Sequence, residues 1–277
     1  MRDPRPLGPA TAAPGPAPVP SGSEGPTVAV WLVDAREQGD AAARMAPGVL
    51  DPAETRRAAS FVRDADRRCY VTAHVALRFL LGARLGIAPG RVRLTREPCR
   101  ACASCDGSHG RPVTEDGPVH FSLSHGGDLA LVALGPVPLG VDLEPLPSPR
   151  TVRAITGQLH PDEVAELAAL PRSARPAAFA RAWVRKEAYL KGLGVGLARG
   201  VALDYVGTVP TAPQRLPGWS MTDLTVPEGF AAAMAVTSPT RPAGPVAPVT
   251  PTPWGRPPFR AVDALATPLP CARATPG

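Results

Sequence analysis

Apolar residues in the central part of this chain follow two patterns, continuous runs and helical spacing. Continuous or near-continuous runs predict strands at residues 27–33, 92–94, 120–123, 129–134, 139–143, 201–205, 219–224 and 230–236. Helical spacing predicts one long helix over residues 64–85, whose buried face carries Tyr70, Ala73, His74, Leu77, Leu80 and Leu81. Shorter helices are predicted from Asp51, over about 151–159, after His160-Pro161, and over about 175–193. Each half of this region therefore contains a strand, helices and further strands, which predicts two similar α+β subdomains.

The two ends of the chain have a different composition. Residues 1–26 and 238–277 contain about half of the 37 prolines, interleaved with Ala, Gly, Ser and Thr. Such segments bury too little apolar surface to offset the entropy of ordering. The sequence thus predicts disordered tails at 1–26 and 238–277, an N-terminal half at 27–137 and a C-terminal half at 138–237.

Charge and hydropathy narrow the functional classes. The formal charge is +6, but the C-terminal tail, with four arginines and one aspartate, supplies about half of that excess. We therefore expect no nucleic-acid partner; the remaining charge suits an enzyme that attracts phosphate groups or an acidic protein partner. No segment reaches the roughly 18 apolar residues of a membrane span, and no signal-peptide core is present, so a cytoplasmic protein is predicted. Five cysteines do not indicate a disulfide framework in that compartment.

Two segments carry the main candidate chemistry. Gly-Val-Asp-Leu-Glu at 140–144 places Asp142 and Glu144 on the same face of a strand. Trp183, Glu187 and Lys191 follow at i, i+4 and i+8 on one side of a helix, with Lys186 at i+3. If they are brought together, the three carboxylates would hold Mg²⁺, and the two lysines would lie beside a bound polyphosphate. Each segment alone has a plainer interpretation, as a solvated strand face or as surface ion pairing on a helix.

Three blocks in this chain resemble the motifs of 4′-phosphopantetheinyl transferases of the long, single-chain type that activates nonribosomal peptide and polyketide synthases. They are Phe-Ser-Leu-Ser-His-Gly at 121–126, Gly-Val-Asp-Leu-Glu at 140–144, and the run from Trp183 to the Gly-Leu-Gly-Val-Gly-Leu of 192–197. Their order and spacing agree with the family over about residues 28–237. The resemblance implies two α+β halves in a pseudo-two-fold arrangement, with the active site between them. It also implies a monomer that transfers phosphopantetheine from coenzyme A to a serine of an acyl or peptidyl carrier protein, releasing 3′,5′-ADP in a Mg²⁺-dependent reaction.

The resemblance also implies roles for individual residues. Asp142 and Glu144 would be magnesium ligands, and Glu187 either a third ligand or the general base for the incoming serine. Lys186 and Lys191 would stabilise phosphate charge, while Trp183 is predicted to be a packing residue. The residues predicted to bind coenzyme A are Arg57, Arg68, Arg111, Ser124, His125 and Lys191, with His125 near the 3′-phosphate. Cys69 stands where some relatives have an arginine.

A cysteine-rich loop adds one open question. Cys99, Cys102, Cys105 and His109 have a spacing that could hold Zn²⁺, although reduced thiols on a flexible loop are the alternative. A zinc-dependent nucleic-acid-binding protein would use this loop but would leave Asp142, Glu144 and Glu187 unexplained. A homologue that binds coenzyme A or a carrier protein without turnover is a further alternative.

Overall fold

The computed structural model describes residues 28–98, 110–117, 119–211, 216–237 and 260–261, without the side chains of 197, 198, 260 and 261. The strands are β1 (Ala29–Asp34), β2 (Leu94–Arg96), β3 (Pro112–Thr114), β4 (His120–Gly126), β5 (Leu129–Gly135), β6 (Leu139–Pro145), β7 (Trp219–Asp223), β8 (Phe230–Thr237) and β9 (Arg260–Ala261). The helices are α1 (Ala35–Val49), α2 (Pro52–Ala59), α3 (Asp64–Leu85), α4 (Pro149–Ile155), α5 (Pro161–Ala169) and α6 (Arg175–Leu193). The predicted tails, apart from residues 260–261, and the Cys/His loop lie outside the described residues.

The strands form antiparallel sheets, so the predicted mixture of helix and sheet is confirmed. The first sheet has the order β4-β5-β1-β9, the second has the order β6-β8-β7, and β2 and β3 form a separate hairpin. No helix in the described part of the chain is long and apolar enough to cross a membrane.

The two larger sheets stack face to face between α3 and α6. In β5 the odd positions, such as Leu131, pack in the cluster that contains Val141 and Met234 of the second sheet. The even positions, such as Val132, pack in the cluster that contains Leu77 of α3. Because side chains alternate across a strand, β5 is buried on both faces, which explains its continuous apolar run. The second sheet repeats this pattern, with Ala233 and Ala235 against α6.

Serine hydroxyls join the two sheets where β4 runs beside β6. The backbone N–H of Val141 donates to Ser122 Oγ at 3.1 Å, and that of Leu143 donates to Ser124 Oγ at 3.3 Å. Both serines are buried. Polar side chains thus replace a backbone ladder at this junction and hold β6, which carries Asp142, against the first sheet.

The main differences from the sequence prediction lie at residues 201–205 and 35–49, and the short strands β3 and β9 are absent from that prediction. Residues 201–205, predicted as a strand, contain turns and bends instead. Residues 35–49, to which no element was assigned, form α1, with Asp34 capping the helix by accepting from Arg36 N at 2.7 Å. The predicted strand at residues 27–33 stops just before Asp34, and Gly39, Pro47 and Gly48 obscure the helical pattern that follows it.

Candidate active site

A close approach of backbones brings the two predicted motif blocks together. A Cβ added at Gly140 of β6 would lie 2.0 Å from the carbonyl oxygen of Ala188 and 2.5 Å from Gly192 N, both in α6. Gly192 is equally crowded, since a Cβ there would lie 2.5 Å from the Trp219 ring. Only glycine fits at position 140, where the neighbouring atoms are backbone, and this contact places the acidic strand directly beside the helix that carries Glu187 and Lys191.

Asp142 is the centre of the resulting polar cluster. Its side chain is 3% exposed, and Oδ1 accepts from Lys191 Nζ and from Ser124 Oγ, each at 2.7 Å. Its second oxygen, Oδ2, is buried and has no hydrogen-bond partner among the described residues. A buried carboxylate oxygen without a partner is costly, so this atom marks a place where a cation or a donor would be stabilised.

The other two carboxylates respond to Asp142 electrostatically. Burial, followed by the negative charges of Asp142 and Glu187, raises the pKa of Glu144 to about 7, although Lys191 opposes the shift. Burial and then Asp142 also raise the pKa of Glu187. Three carboxylates that share a partly desolvated region in this way would be stabilised by a positive charge between them.

The residues present fit a hard divalent cation, although they are not gathered into a ready-made site. Among the described residues, no three His, Cys, Asp or Glu side chains converge closely enough to hold a metal. The donors are nevertheless of the type that Mg²⁺ prefers, since it binds one or two carboxylates and completes its shell with water and substrate phosphates. The free Oδ2 of Asp142 supports the same conclusion.

A cavity of about 610 Å³ lies next to the carboxylates and is lined by residues of α2, α3, β2, β4 and the last turn of α6. Its lining includes the predicted ligand-binding residues Arg57, Arg111, His125 and Lys191. Partial desolvation in the pocket, followed by the positive charges of His74, Lys191 and Arg57, lowers the pKa of His125 to about 4, although the residue as a whole is still exposed at the surface. Lys191 connects the cavity with the acidic cluster, because it lines the cavity and binds Asp142.

This combination of motifs and geometry matches one family of proteins. Residues 138–216, which include Asp142, Glu144, Glu187 and Lys191, match the model of the 4′-phosphopantetheinyl transferase superfamily. The 4′-phosphopantetheinyl transferase HetI of Nostoc sp. is 32% identical over 196 residues, covering 68% of this chain and 78% of that protein. The chain belongs to the 4′-phosphopantetheinyl transferase superfamily.

Other relatives of this transferase agree over shorter stretches. A putative 4′-phosphopantetheinyl transferase of Synechocystis sp., slr0495, is 29% identical over 155 residues, which are 55% of this chain and 60% of that protein. The 4′-phosphopantetheinyl transferase psf-1 of Bacillus pumilus is 33% identical over 95 residues, which are 34% and 40% of the two chains. The predicted family and enzyme class are therefore confirmed.

Lys186 does not reach the acidic cluster of this transferase. Its ammonium group binds Glu163 Oε2 at 2.7 Å and the carbonyl oxygen of Asp204 at 2.6 Å, and its side chain is 2% exposed. Lys186 precedes Glu187 by one residue and therefore projects about 100° away around the helix, towards α5. The expectation that Lys186 stabilises phosphate charge does not fit this placement.

Arg68 and Cys69 also lie away from the cavity. The stem of Arg68 packs over Gly39 of α1, and neither residue belongs to the cavity lining. The Cys69 thiol is buried and donates weakly to the carbonyl oxygen of Leu129 at 3.6 Å. Of the two arginines in α2 and α3 that were predicted to bind coenzyme A, Arg57 lines the cavity and Arg68 does not.

The structure adds pocket residues that the motifs did not reveal. His74 and Tyr70, predicted only as part of the buried face of α3, line the cavity with their rings stacked at 4.0 Å between centroids. Glu54 accepts from His74 Nδ1 at 2.9 Å and from Arg78 Nε at 2.6 Å. Burial would raise the pKa of Glu54, but these hydrogen bonds and charges lower it. The sequence signal was the Asp51-x-x-Glu54 capping box, which indicates a helix start and not a ligand pocket.

Trp183 has the packing role predicted for it. Its ring stacks on Phe179 with 5.7 Å between centroids, and it joins the apolar cluster of the C-terminal half. This packing fixes the first half of α6, so that Glu187 and Lys191, farther along the same helix, are presented to β6.

Proposed function

We propose that this transferase moves the 4′-phosphopantetheine group of coenzyme A to a serine hydroxyl of an apo acyl or peptidyl carrier protein, with Mg²⁺ as cofactor. The observation that carries the proposal is the contact between Lys191 Nζ and Asp142 Oδ1, at 2.7 Å. This contact joins a basic cavity of nucleotide size to an acidic cluster suited to a cation. Transfer from a pyrophosphate needs both a binding site for the nucleotide and a cation to neutralise the phosphate charge.

The reaction proposed here replaces the phosphoanhydride bond of the β-phosphate with a phosphoester bond to serine, and the ester to pantetheine is kept. The serine Oγ of the carrier forms a bond to that phosphorus, the bond to the bridging oxygen breaks, and 3′,5′-ADP leaves with the electron pair. Such transfers depend mainly on positioning and on neutralising charge. A bound Mg²⁺ ion would neutralise charge on the pyrophosphate, held by Asp142, Glu144 and, in one of two roles, Glu187.

The remaining roles follow from position. Lys191 would bind the transferring phosphate from the cavity side. Arg57 and His125 would bind the nucleotide phosphates. The hydroxyl of Ser124 would hold the Asp142 carboxylate in place. Glu187 is either the third metal ligand or the acceptor of the serine proton at a carboxylate oxygen. Without a cation, burial and the charge of Asp142 raise the pKa of Glu187, and a bound Mg²⁺ would oppose that shift.

An exposed surface after β6 supports a carrier protein as the partner. Leu146 is 40% exposed only two residues after Glu144, and α4 follows at once with exposed Arg150 and Arg153. An acidic amphipathic helix would find both an apolar contact and complementary charge here. We therefore propose this surface as the docking site for the carrier, whose serine would then lie close to the acidic cluster.

The proposed arrangement of the whole chain is a monomer that acts in the cytoplasm. Residues of both halves, such as Arg57 and Lys191, line the same cavity, so one chain supplies both walls of the site. Each half also packs one long helix, α3 or α6, against its own sheet. We infer from this repetition that the halves are related by a pseudo-two-fold axis.

Intact mass spectrometry of an apo-carrier protein tests the function. Incubation with the transferase, coenzyme A and Mg²⁺ should add one phosphopantetheine group, and EDTA should prevent the addition. Asp142→Ala serves as the matched inactive control. Binding of coenzyme A without modification of any of several acyl and peptidyl carriers would contradict the proposed turnover, and no binding would contradict the assignment of the pocket.

A further inference from the structure

The last turn of α6, which carries Lys191, has an unusual set of partners for its carbonyl groups. The final carbonyls of a helix have no intrahelical donor and need other partners. Here Gly194, in the left-handed conformation at φ 74°, donates its N–H to the carbonyls of Leu190 and Lys191 at 3.0 and 3.1 Å. The carbonyl of Gly192 is satisfied by a side chain from another element.

That side chain is Arg111, next to β3. Its Nη1 donates to the carbonyl oxygen of Gly192 at 3.1 Å. A guanidinium group at a helix C-terminus is also favoured by the helix dipole. Arg111 is separated from Gly192 by 81 positions in the sequence, so this bond ties the β2–β3 hairpin of the N-terminal half to the catalytic helix of the C-terminal half.

Glu97 holds the guanidinium in place. Arg111 Nη2 donates to both carboxylate oxygens of Glu97, at 3.0 and 2.9 Å, and the backbone N–H of Glu97 donates to the carbonyl of Arg111 at 2.9 Å. The Arg111 side chain is 9% exposed. A Cβ at Gly194 would lie 3.1 Å from Arg111 Cβ, so the arginine stem also packs directly on the end of α6.

The opposite side of the same turn is held by β6. Gly192 lies against Gly140, and Lys191 Nζ binds Asp142. The last turn of α6 is therefore fixed from both halves of the fold, by Arg111 on one side and by Gly140 and Asp142 on the other.

These contacts leave Arg111 poorly suited to bind phosphate. Both terminal nitrogens are committed, and Glu97 neutralises the charge that a phosphate would need. Of the three guanidinium nitrogens of Arg111, Nε alone has no hydrogen-bond partner among the described residues. Arg111 lines the cavity, but its charge is directed towards Glu97 and Gly192.

We propose that Arg111 is a positioning residue, which fixes the last turn of α6 and through it sets Lys191 against Asp142, with Glu97 orienting the guanidinium. The kinetic consequence rests on the function proposed above. The structural consequence, a more mobile end of α6 when the contact is lost, does not depend on that function.

Three variants and one control test this role. Arg111→Lys keeps the charge but loses the two-nitrogen contact, Arg111→Ala removes both, and Glu97→Gln removes the charge that orients the guanidinium. Arg93→Lys is the control, because Arg93 lies in the same hairpin region, is 69% exposed and pairs with Asp116 away from the cavity. Each protein is compared in kcat, in KM for coenzyme A, and in hydrogen exchange of peptides that cover residues 187–195.

We expect Arg111→Lys, Arg111→Ala and Glu97→Gln to lower kcat by about tenfold or more, because a small misplacement of a reacting group is costly. KM for coenzyme A should change by less than about threefold, and hydrogen exchange at Gly194 and Val195 should accelerate. A phosphate-binding role would give the opposite pattern: KM would rise in Arg111→Ala, lysine would restore it, and Glu97→Gln would lower it. That pattern, or unchanged hydrogen exchange in both Arg111 variants, would overturn the proposal. If the wild-type protein proves inactive, hydrogen exchange alone decides the inference.

Discussion

The contact between Gly140 and α6 offers a direct test of how the two motif blocks are brought together. Gly140→Ala adds one methyl group at a position where the nearest atoms are backbone atoms of α6. The new Cβ would lie 2.0 Å from the carbonyl oxygen of Ala188 and 2.5 Å from Gly192 N, whereas ordinary contact begins at 3.4 Å. No side-chain rotation relieves such an overlap, so β6 and α6 must move apart.

The size of the effect follows from that displacement. Inserting a methyl group into a packed interior costs about 1–3 kcal/mol, and we expect about 3 kcal/mol in the free energy of unfolding here, because both neighbours are backbone. Moving Glu187 and Lys191 away from Asp142 by about 1 Å should also lower kcat by roughly 100-fold in the protein that remains folded.

Urea unfolding at 25 °C and carrier modification under saturating coenzyme A measure the two effects separately. Gly48→Ala is the matched control, since Gly48 lies in α1 with no atom within 4 Å of its added Cβ; it should be neutral or stabilising by up to about 1 kcal/mol. If Gly140→Ala unfolds within 0.5 kcal/mol of wild type and keeps its turnover, the close contact of β6 with α6 is not what assembles the site.

Three further predictions concern single side chains. Asp142→Asn should keep the fold and lower the rate of carrier modification by about 100-fold or more, measured by intact mass, since it removes the charge that pairs with Lys191; near-normal turnover would contradict its central role. Lys186→Met should lower the free energy of unfolding by about 3 kcal/mol, because Glu163 is 0% exposed and loses its counter-charge, while KM for coenzyme A stays unchanged; a raised KM with normal stability would restore the phosphate role. For His125, the pKa is about 6.5 unfolded and about 4 folded, so its contribution to stability is complete above pH 6.5 and is lost as the pH falls towards 4. His125→Gln should therefore lose less thermal stability than wild type over that range, in the absence of ligand, and an equal loss would show that this histidine is not responsible.

Much of this site was predictable because its signals are local. The period of two along β6 puts Asp142 and Glu144 on one side, and the helical period puts Trp183, Glu187 and Lys191 on one side of α6. The predicted bounds of the long helices, 64–85 and 175–193, match α3 and α6. Periodicity within one element decides both results, so the linear order of residues was sufficient.

The partners of the remaining charged residues depended on contacts distant in sequence. Lys186 and Arg111 have the residue type of phosphate ligands, but Glu163 and Glu97 lie nearer to them in the folded chain. Neither pairing can be predicted from the spacing of the residues in the sequence. The direction in which a side chain leaves its helix, and the element that packs against it, determine which carboxylate is within reach. The same applies to His74, whose position in the cavity wall depends on how α2 packs on α3.

Short segments of the sequence were sufficient to indicate the family, the two long helices and the acidic and basic motifs, because these are local properties. The contacts between these segments come from the folded chain: two sheets stack through Ser122 and Ser124, and α6 packs between Gly140 and Arg111. The physical reason is that buried charges and close backbone contacts take their partners from the whole fold, where geometry and desolvation, and not residue type alone, set the most stable pairing.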